Sequence, residues 1–408
     1  MKILAMYLPQ FHRIPENDVW WGAGFTDWVS AQNAVSLYNG HYQPHVPLGN
    51  NYYDLSEKST MEWQTELMKQ YGVDGMCIYH YWFKDGRRIL EKPAENLLQW
   101  KDIAMPFCFC WANESWARSW SKYKNANAWI NETQADENGK QGNGMLLEQS
   151  YGTEKQWKEH FDYLLPFFLD ERYIRVDEKP VIVIYKSADV TCLKDMLDYW
   201  KQLAMDAGLR GIYVIGAQCN MQSRFVVDGE LLHEPGYSCR KFENVGNPRV
   251  IDYESLWEQL LKSKGVGKTY YGGFVGYDDT PRRGQNGMVI QGTNSQSFEK
   301  FFTQLIRKNK ICGNELVFVN AWNEWGEGMH LEPDEKYGYA FLEAVKNAKK
   351  LAQDGDFIIS AEVDDGDQMQ LISRADKFEN YLNLLDSWMT LRENKVSIAD
   401  SLIKKGIT

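Results

Sequence analysis

Several ingredients of familiar protein chemistries are missing from this chain. No run approaches the roughly 18 apolar residues that a membrane-spanning helix needs, so no membrane span is expected. Lys and Arg do not cluster, and the formal net charge of -11 argues against a nucleic-acid partner, whose phosphates require a basic face. No CxxC pair occurs among the seven cysteines, which removes the usual structural zinc spacing. Their odd number, with Cys108 and Cys110 inside an apolar run, fits reduced buried thiols better than a disulfide framework. H-x-H and HExxH spacings are absent too, and no metal or cofactor is expected. No glycine-rich phosphate loop follows the first apolar run, which argues against a dinucleotide-binding open sheet. The start, MKILAMYLPQF, reaches polar Gln10 and His12 after too short an apolar stretch for a secretory leader, so the expected location is cytoplasmic.

What the chain has is a balance of 44% apolar and 25% charged residues, that of a globular protein. Its apolar runs recur with helix-like segments between them. The runs fall at Ile3 to Tyr7, Gly75 to Tyr79, Phe107 to Trp111, Val181 to Tyr185, Ile212 to Ala217, Phe225 to Leu232, Thr269 to Val275 and Leu316 to Asn320. This pattern predicts an α/β fold, a (β/α)8 TIM barrel, whose strands are near-continuously apolar because both faces are buried. Helical spacing predicts helices at Thr60 to Tyr71, Thr153 to Leu169, Leu193 to Ala207, Tyr253 to Lys262 and Ser297 to Lys308. Residues 1–350 form the expected catalytic barrel. Residues 351–408 form a C-terminal helical extension, with an amphipathic stretch at Tyr381 to Ile403. Three connections, 8–60, 112–152 and 276–296, are longer than a barrel requires and read as long βα loops roofing a site.

The segment VFVNAWNEWGEGMHLEP, Val317 to Pro333, carries the clearest chemistry. An apolar strand ends there in Glu324 and Glu327, at the C-terminal rim where barrel enzymes place their catalytic groups. On a helix-like turn, side chains three apart have Cβ atoms about 5–6 Å from each other. That is compatible with the carboxyl spacing of a retaining glycosidase pair, about 5–5.5 Å, so Glu324 and Glu327 are the candidate catalytic residues. A Glu-x-x-Glu pair more often marks a solvated helix face; the preceding strand and the surrounding Trp322, Trp325 and His330 favour a site.

Other strand ends repeat the mixture of polar and aromatic groups. A pocket lined by Tyr7, His12, Tyr79, His80, Trp82, Trp111, Asn113, Glu114, Tyr185, Glu234, Trp322, Asn323 and Trp325 would offer flat faces to pyranose rings and hydrogen bonds to their hydroxyls. The expected partner is therefore an oligosaccharide or polysaccharide. Arg282 and Arg283 read as surface residues, with the alternative that one holds a phosphate or carboxylate of a charged substrate. Asp364-Asp365-Gly366-Asp367 nominally matches a DxD metal motif, but no strand follows it.

The segments YLPQFH (Tyr7 to His12), WWGAGFTDW (Trp20 to Trp28), GHYQPHVP (Gly40 to Pro47), IYHYWF (Ile78 to Phe83), CWANESWARSW (Cys110 to Trp120) and NAWNEWGEGMHLEP (Asn320 to Pro333) occur in that order. Over roughly residues 1 to 345 the chain resembles the WbsX-type glycosyltransferase family, a group similar to glycoside hydrolase family 99. The resemblance implies a (β/α)8 barrel acting on a glycosidic bond in bacterial O-antigen or capsular polysaccharide metabolism, as a hydrolase or as a glycosyltransferase or transglycosylase. It also implies retaining, endo-α-mannosidase-like chemistry. Glu324 takes the proton of the sugar's 2-hydroxyl, whose oxygen attacks its own anomeric carbon to give a 1,2-anhydro sugar, and Glu327 acts first as general acid and then as base. The pattern departs at Gly326, where the mannosidases carry His, which leaves the sugar open. The alternative from another class is a catalytically silent carbohydrate-binding barrel.

Overall fold

The computed structural model describes residues 1–117 and 145–353. Past residue 353 the expected C-terminal helical extension, including Tyr381 to Ile403 and Asp364 to Asp367, lies outside the described residues, as does the middle of the 112–152 connection.

Parallel strands follow one another around a barrel: β1 Lys2–Tyr7, β2 Gly75–Trp82, β3 Phe107–Trp111, β4 Lys179–Ile184, β5 Tyr213–Ala217, β6 Gly229–Leu232, β7, and β8 Leu316–Asn320. β7 comes in two pieces, Thr269–Tyr271 paired with β6 and Gly273–Phe274 paired with β8. β8 pairs in turn with β1, Val317 opposite Ile3, so the ring closes through the two halves of β7. Every residue of FCFCW in β3 and of LVFVN in β8 is buried. That burial on both faces is why these runs are apolar without alternation.

Helices cover the outside. They include α1 Pro15–Trp21, α2 Asp27–Gln32, α3 Lys58–Tyr71, α4 Lys92–Gln99, α5 Glu154–Phe168, α6 Leu193–Asp206, α7 Tyr253–Lys262, α8 Ser295–Ile311 and α9 Ala340–Leu351. Those expected from periodicity are α3, α5, α6, α7 and α8. Local caps fix some of their starts: the Asp252 carboxylate accepts the Ser255 N–H at 2.8 Å before α7, and the Asn294 side chain does the same for Ser297 before α8. Two further helices, α1 and α2, fall inside the stretch 8–60 that reads as loop.

β6 begins later than the apolar run suggests. The Asn220 side chain accepts the Ser223 N–H at 2.8 Å and turns Met221–Arg224 into a short helix. Phe225 is then left 56% exposed, and the strand starts only at Gly229. The break in β7 has an equally local cause. A Cβ at Gly272 would stand 2.7 Å from the Leu232 carbonyl oxygen, to which the Gly272 N–H itself donates at 3.2 Å. Replacing Gly272 with Ala should therefore cost about 1–3 kcal/mol of folding stability through overpacking. Chemical denaturation measures it, and an unchanged midpoint would show that the close approach is not needed for closure.

Candidate active site

After β8 the chain makes a small hairpin. Asn323–Glu324 pairs antiparallel with Met329–His330, and the turn Trp325–Glu327 lies between them. Three side chains seat this hairpin rather than face a ligand. Asn323 clasps the backbone just beyond β1, accepting from the Leu8 N–H at 2.7 Å and donating to the Leu8 carbonyl at 3.0 Å. The Trp325 indole donates to the buried Glu332 at 2.8 Å, while its ring stacks on His330 with centroids 3.7 Å apart. Glu332 also accepts from Tyr53 at 2.8 Å and from Gln64 at 2.7 Å.

With that side anchored, Glu324 and Glu327 project into a cavity of about 430 Å³ at the C-terminal mouth of the barrel. Both end on Arg282. Its Nη1 donates to Glu327 at 2.5 Å and its Nη2 to Glu324 at 3.1 Å, and the same guanidinium grips Asp27 of α2 at 2.8 Å and 3.2 Å. Arg282 stands on the short turn Thr280–Arg283. Asp278 holds the start of that turn through Thr280, and is itself bound by His41 at 2.6 Å and Gln43 at 2.7 Å.

The residue between the two glutamates is glycine for a steric reason. A Cβ at Gly326 would come within 2.8 Å of Arg282 Nε and closer still to the Asp27 carboxylate. The ion cluster occupies the space a side chain would fill.

The glutamates differ in exposure, Glu324 keeping 8% of its side chain accessible and Glu327 26%. Burial pushes Glu324 up to about 8, with the nearby Glu327 charge adding to the lift and Arg282 opposing it. Burial raises Glu327 as well, again against Arg282. Three carboxylates around one guanidinium leave excess negative charge, and keeping one proton on the glutamate pair relieves it.

Opposite the pair stands an aromatic wall. The Tyr79 hydroxyl lies 3.2 Å from His233 Nε2, and the Tyr185 ring meets Tyr79 and His233 edge-on at 6.3 Å and 5.0 Å. Glu114 pairs with Lys186 at 2.5 Å. Beyond Glu114, Tyr185 and His233 lies an adjoining cavity of about 450 Å³.

A family model described as Glycosyltransferase WbsX matches residues 3–345. The chain belongs to the WbsX family. This places it among the carbohydrate-active enzymes. WxcX, an uncharacterized protein of Xanthomonas campestris pv. campestris, is 30% identical over 367 residues in each of two strains. The alignment covers 86% of this chain and 50% of the relative, so the chain spans about half the length of the curated relatives it matches. The endo-α-mannosidase of Bacteroides thetaiotaomicron, a GH99 protein, shares the fold at a TM-score of 0.52 and 13% identity, over 86% of this chain and 97% of that one. A second structure of that enzyme, with bis-tris propane, gives a TM-score of 0.50 at 12% identity, again over 86% and 97%.

Of the residues expected to form the WbsX site, Tyr79, Glu114, Tyr185, Glu234, Glu324 and Glu327 line the cavity. Glu234 does so with its carboxylate already used, accepting from the Ser238 N–H at 2.9 Å and hydroxyl at 2.7 Å. Strand alternation removes two others. On β2, Tyr79 and Tyr81 face the cavity, so His80 and Trp82 point to the helix layer, His80 lying 2.9 Å from His160 of α5 and Trp82 stacking on it at 4.4 Å. Trp111 packs against the same His160 at 4.8 Å. Tyr7 donates to Gln64 of α3 at 2.8 Å. Asn113 joins the ends of β3 and β4 by bonding both backbone groups of Lys186, at 2.8 Å and 2.9 Å. His12 and Trp322 are buried away from the lining, and Asn323 and Trp325 belong to the hairpin anchor.

The expected lining left out Asp27 and, although they stand at strand ends, Tyr81 and His233, and Arg282 was placed on the surface. Asp27 and Arg282 are 255 positions apart, and no local spacing announces their meeting. The shift directions give a test. Replacing Arg282 with Gln removes the charge that holds both carboxyls down, so the last proton of the pair should leave at higher pH than in wild type. Carboxyl-region infrared difference spectra across a pH titration read this, and an unmoved transition would show that Arg282 does not govern the pair.

Proposed function

We propose that this WbsX protein cleaves or transfers an α-linked glycosidic bond with retention, using Glu324 and Glu327. The observation that supports it is the convergence of both carboxylates on one guanidinium, with a proton favoured on the pair, inside an aromatic-walled cavity. A carboxylate that takes a proton and a carboxylic acid that gives one are what acid–base catalysis at adjacent sugar atoms requires.

In the proposed course Glu324 accepts the proton of the sugar's 2-hydroxyl. The freed oxygen attacks the anomeric carbon, and the departing oxygen takes the proton of Glu327, leaving a 1,2-anhydro sugar. Glu327 then deprotonates water or an acceptor hydroxyl, which opens the strained ring at the anomeric carbon while Glu324 returns the proton to the 2-oxygen. Burial raises both members of the pair, and Glu324 is the more enclosed of the two. A hydroxyl donating to Glu324 stabilises its ionised form and leaves the proton to the more open Glu327. The adjoining cavity past Glu114 and Tyr185 supplies room for an acceptor sugar, which favours transfer as the second reading. Bacterial surface polysaccharide is the substrate class that the family resemblance suggests.

The roles are separable with aryl α-glycosides of graded leaving-group acidity. Glu327→Gln should lose about 10²–10⁴-fold in kcat/KM on poor leaving groups and recover most of it on strongly activated ones, which need no acid. Glu324→Gln should stay inactive on both. Wild-type binding of aryl glycosides and polysaccharide fragments without turnover would sink the enzymatic reading, and equal leaving-group dependence in the two variants would sink the assignment of roles.

A further inference from the structure

Behind the hairpin, on the far side of Trp325, three donor atoms converge that the sugar chemistry does not use. His45, from the connection between α2 and α3, places Nδ1 2.9 Å from His330 Nε2. Asp334 Oδ2 lies 3.8 Å from the same His330 nitrogen, and the three atoms all lie within 4.8 Å of one another. His330 and Asp334 are 5% and 2% exposed.

The hydrogen bonding there is incomplete for neutral rings. His330 Nδ1 lies 2.9 Å from the Glu332 carbonyl oxygen, an acceptor, so Nδ1 carries the hydrogen and Nε2 presents a bare lone pair. His45 Nδ1–H can satisfy that lone pair. Asp334 Oδ2, an acceptor aimed at the same space, then has no hydrogen-bond donor among the described residues. A buried carboxylate oxygen without a donor carries a desolvation penalty that a cation would remove.

We propose that His45 Nδ1, His330 Nε2 and Asp334 Oδ2 bind a zinc-class divalent cation. Two imidazoles and a carboxylate form a donor set suited to zinc, at bond lengths of about 2.0–2.2 Å. Tetrahedral bonds of that length set ligand atoms about 3.3 Å apart, so the two nitrogens, 2.9 Å apart, would part slightly and Asp334 Oδ2, 3.8 Å from His330, would draw in. The backbone already holds the two segments in register, the Leu48 N–H donating to the Pro333 carbonyl at 3.0 Å. The ion would fasten the 41–48 segment to the hairpin, and through the His330–Trp325 stack it would stiffen the turn that carries both glutamates. Neither linear spacing nor a histidine motif marks this site, because its ligands come from separate loops. The proposal stands or falls independently of the sugar chemistry.

Elemental analysis of tag-free protein, followed by zinc titration against a chelating dye, tests it. The expected result is one ion per chain with a Kd below about 1 µM, at least tenfold weaker binding in both His330→Gln and Asp334→Asn, and unchanged binding in Glu327→Gln. Zinc should also raise the melting temperature of wild type and not of Asp334→Asn. Wild type that carries no ion and binds zinc no tighter than about 100 µM would overturn the proposal. Tight binding that survives both ligand substitutions would overturn it equally, by placing the ion elsewhere.

Discussion

Arg282 is held between Asp27 and the two glutamates, and a guanidinium in that position has to be supplied and oriented by parts of the chain that are far apart. The loop after β7 supplies it, α2 supplies the countercharge, and the hairpin after β8 supplies the pair it serves. Each supplier is fixed by a contact away from the cavity. Asp278 pins the Arg282 turn and is itself pinned by His41 and Gln43, so the long loop after β1 braces the loop after β7. The absence of a side chain at Gly326 belongs to the same constraint, since any Cβ would enter the ion cluster.

Among the aromatic and amide residues of the family motifs, two groups bear on the cavity. Some make the wall of the cavity and others hold the hairpin that presents the acids. Asn323 and Trp325 sit beside Glu324 in sequence and point away from it in space, because a tight antiparallel hairpin alternates its faces. Their work is to fix where the carboxylates stand. In the proposed mechanism a displacement of about 1 Å in a reacting group would cost on the order of 100-fold in rate, so this anchoring would bear on it as directly as a sugar contact.

The barrel could be read from the chain because strands buried on both faces leave an unbroken apolar signature, and β3 and β8 match the expected limits residue for residue. The glutamate pair was visible for a similar reason, standing directly after such a strand. Side-chain direction was harder. Tyr79, His80 and Trp82 look alike as a cluster, yet the two-residue period of β2 sends the first to the cavity and the others to α5. β6 was drawn too long because hydropathy does not register the Asn220 cap. The pairing of Arg282 with Asp27 and the glutamates could not be found, since these partners lie on elements that only the closed barrel brings together.

Charge distribution divides the cleft. The cations lining the glutamate cavity, Arg282 and Arg283, are both matched, Arg282 by three carboxylates and Arg283 by Asp279 at 3.0 Å. A diphosphate placed beside Glu324 and Glu327 would meet acidic groups with no unmatched cation among the described residues to receive it. A neutral sugar meets no such repulsion, and its hydroxyls can donate to carboxylates that Arg282 leaves partly unsatisfied. The adjoining cavity differs, for Arg240 there meets the uncharged Gln218 amide at 3.3 Å.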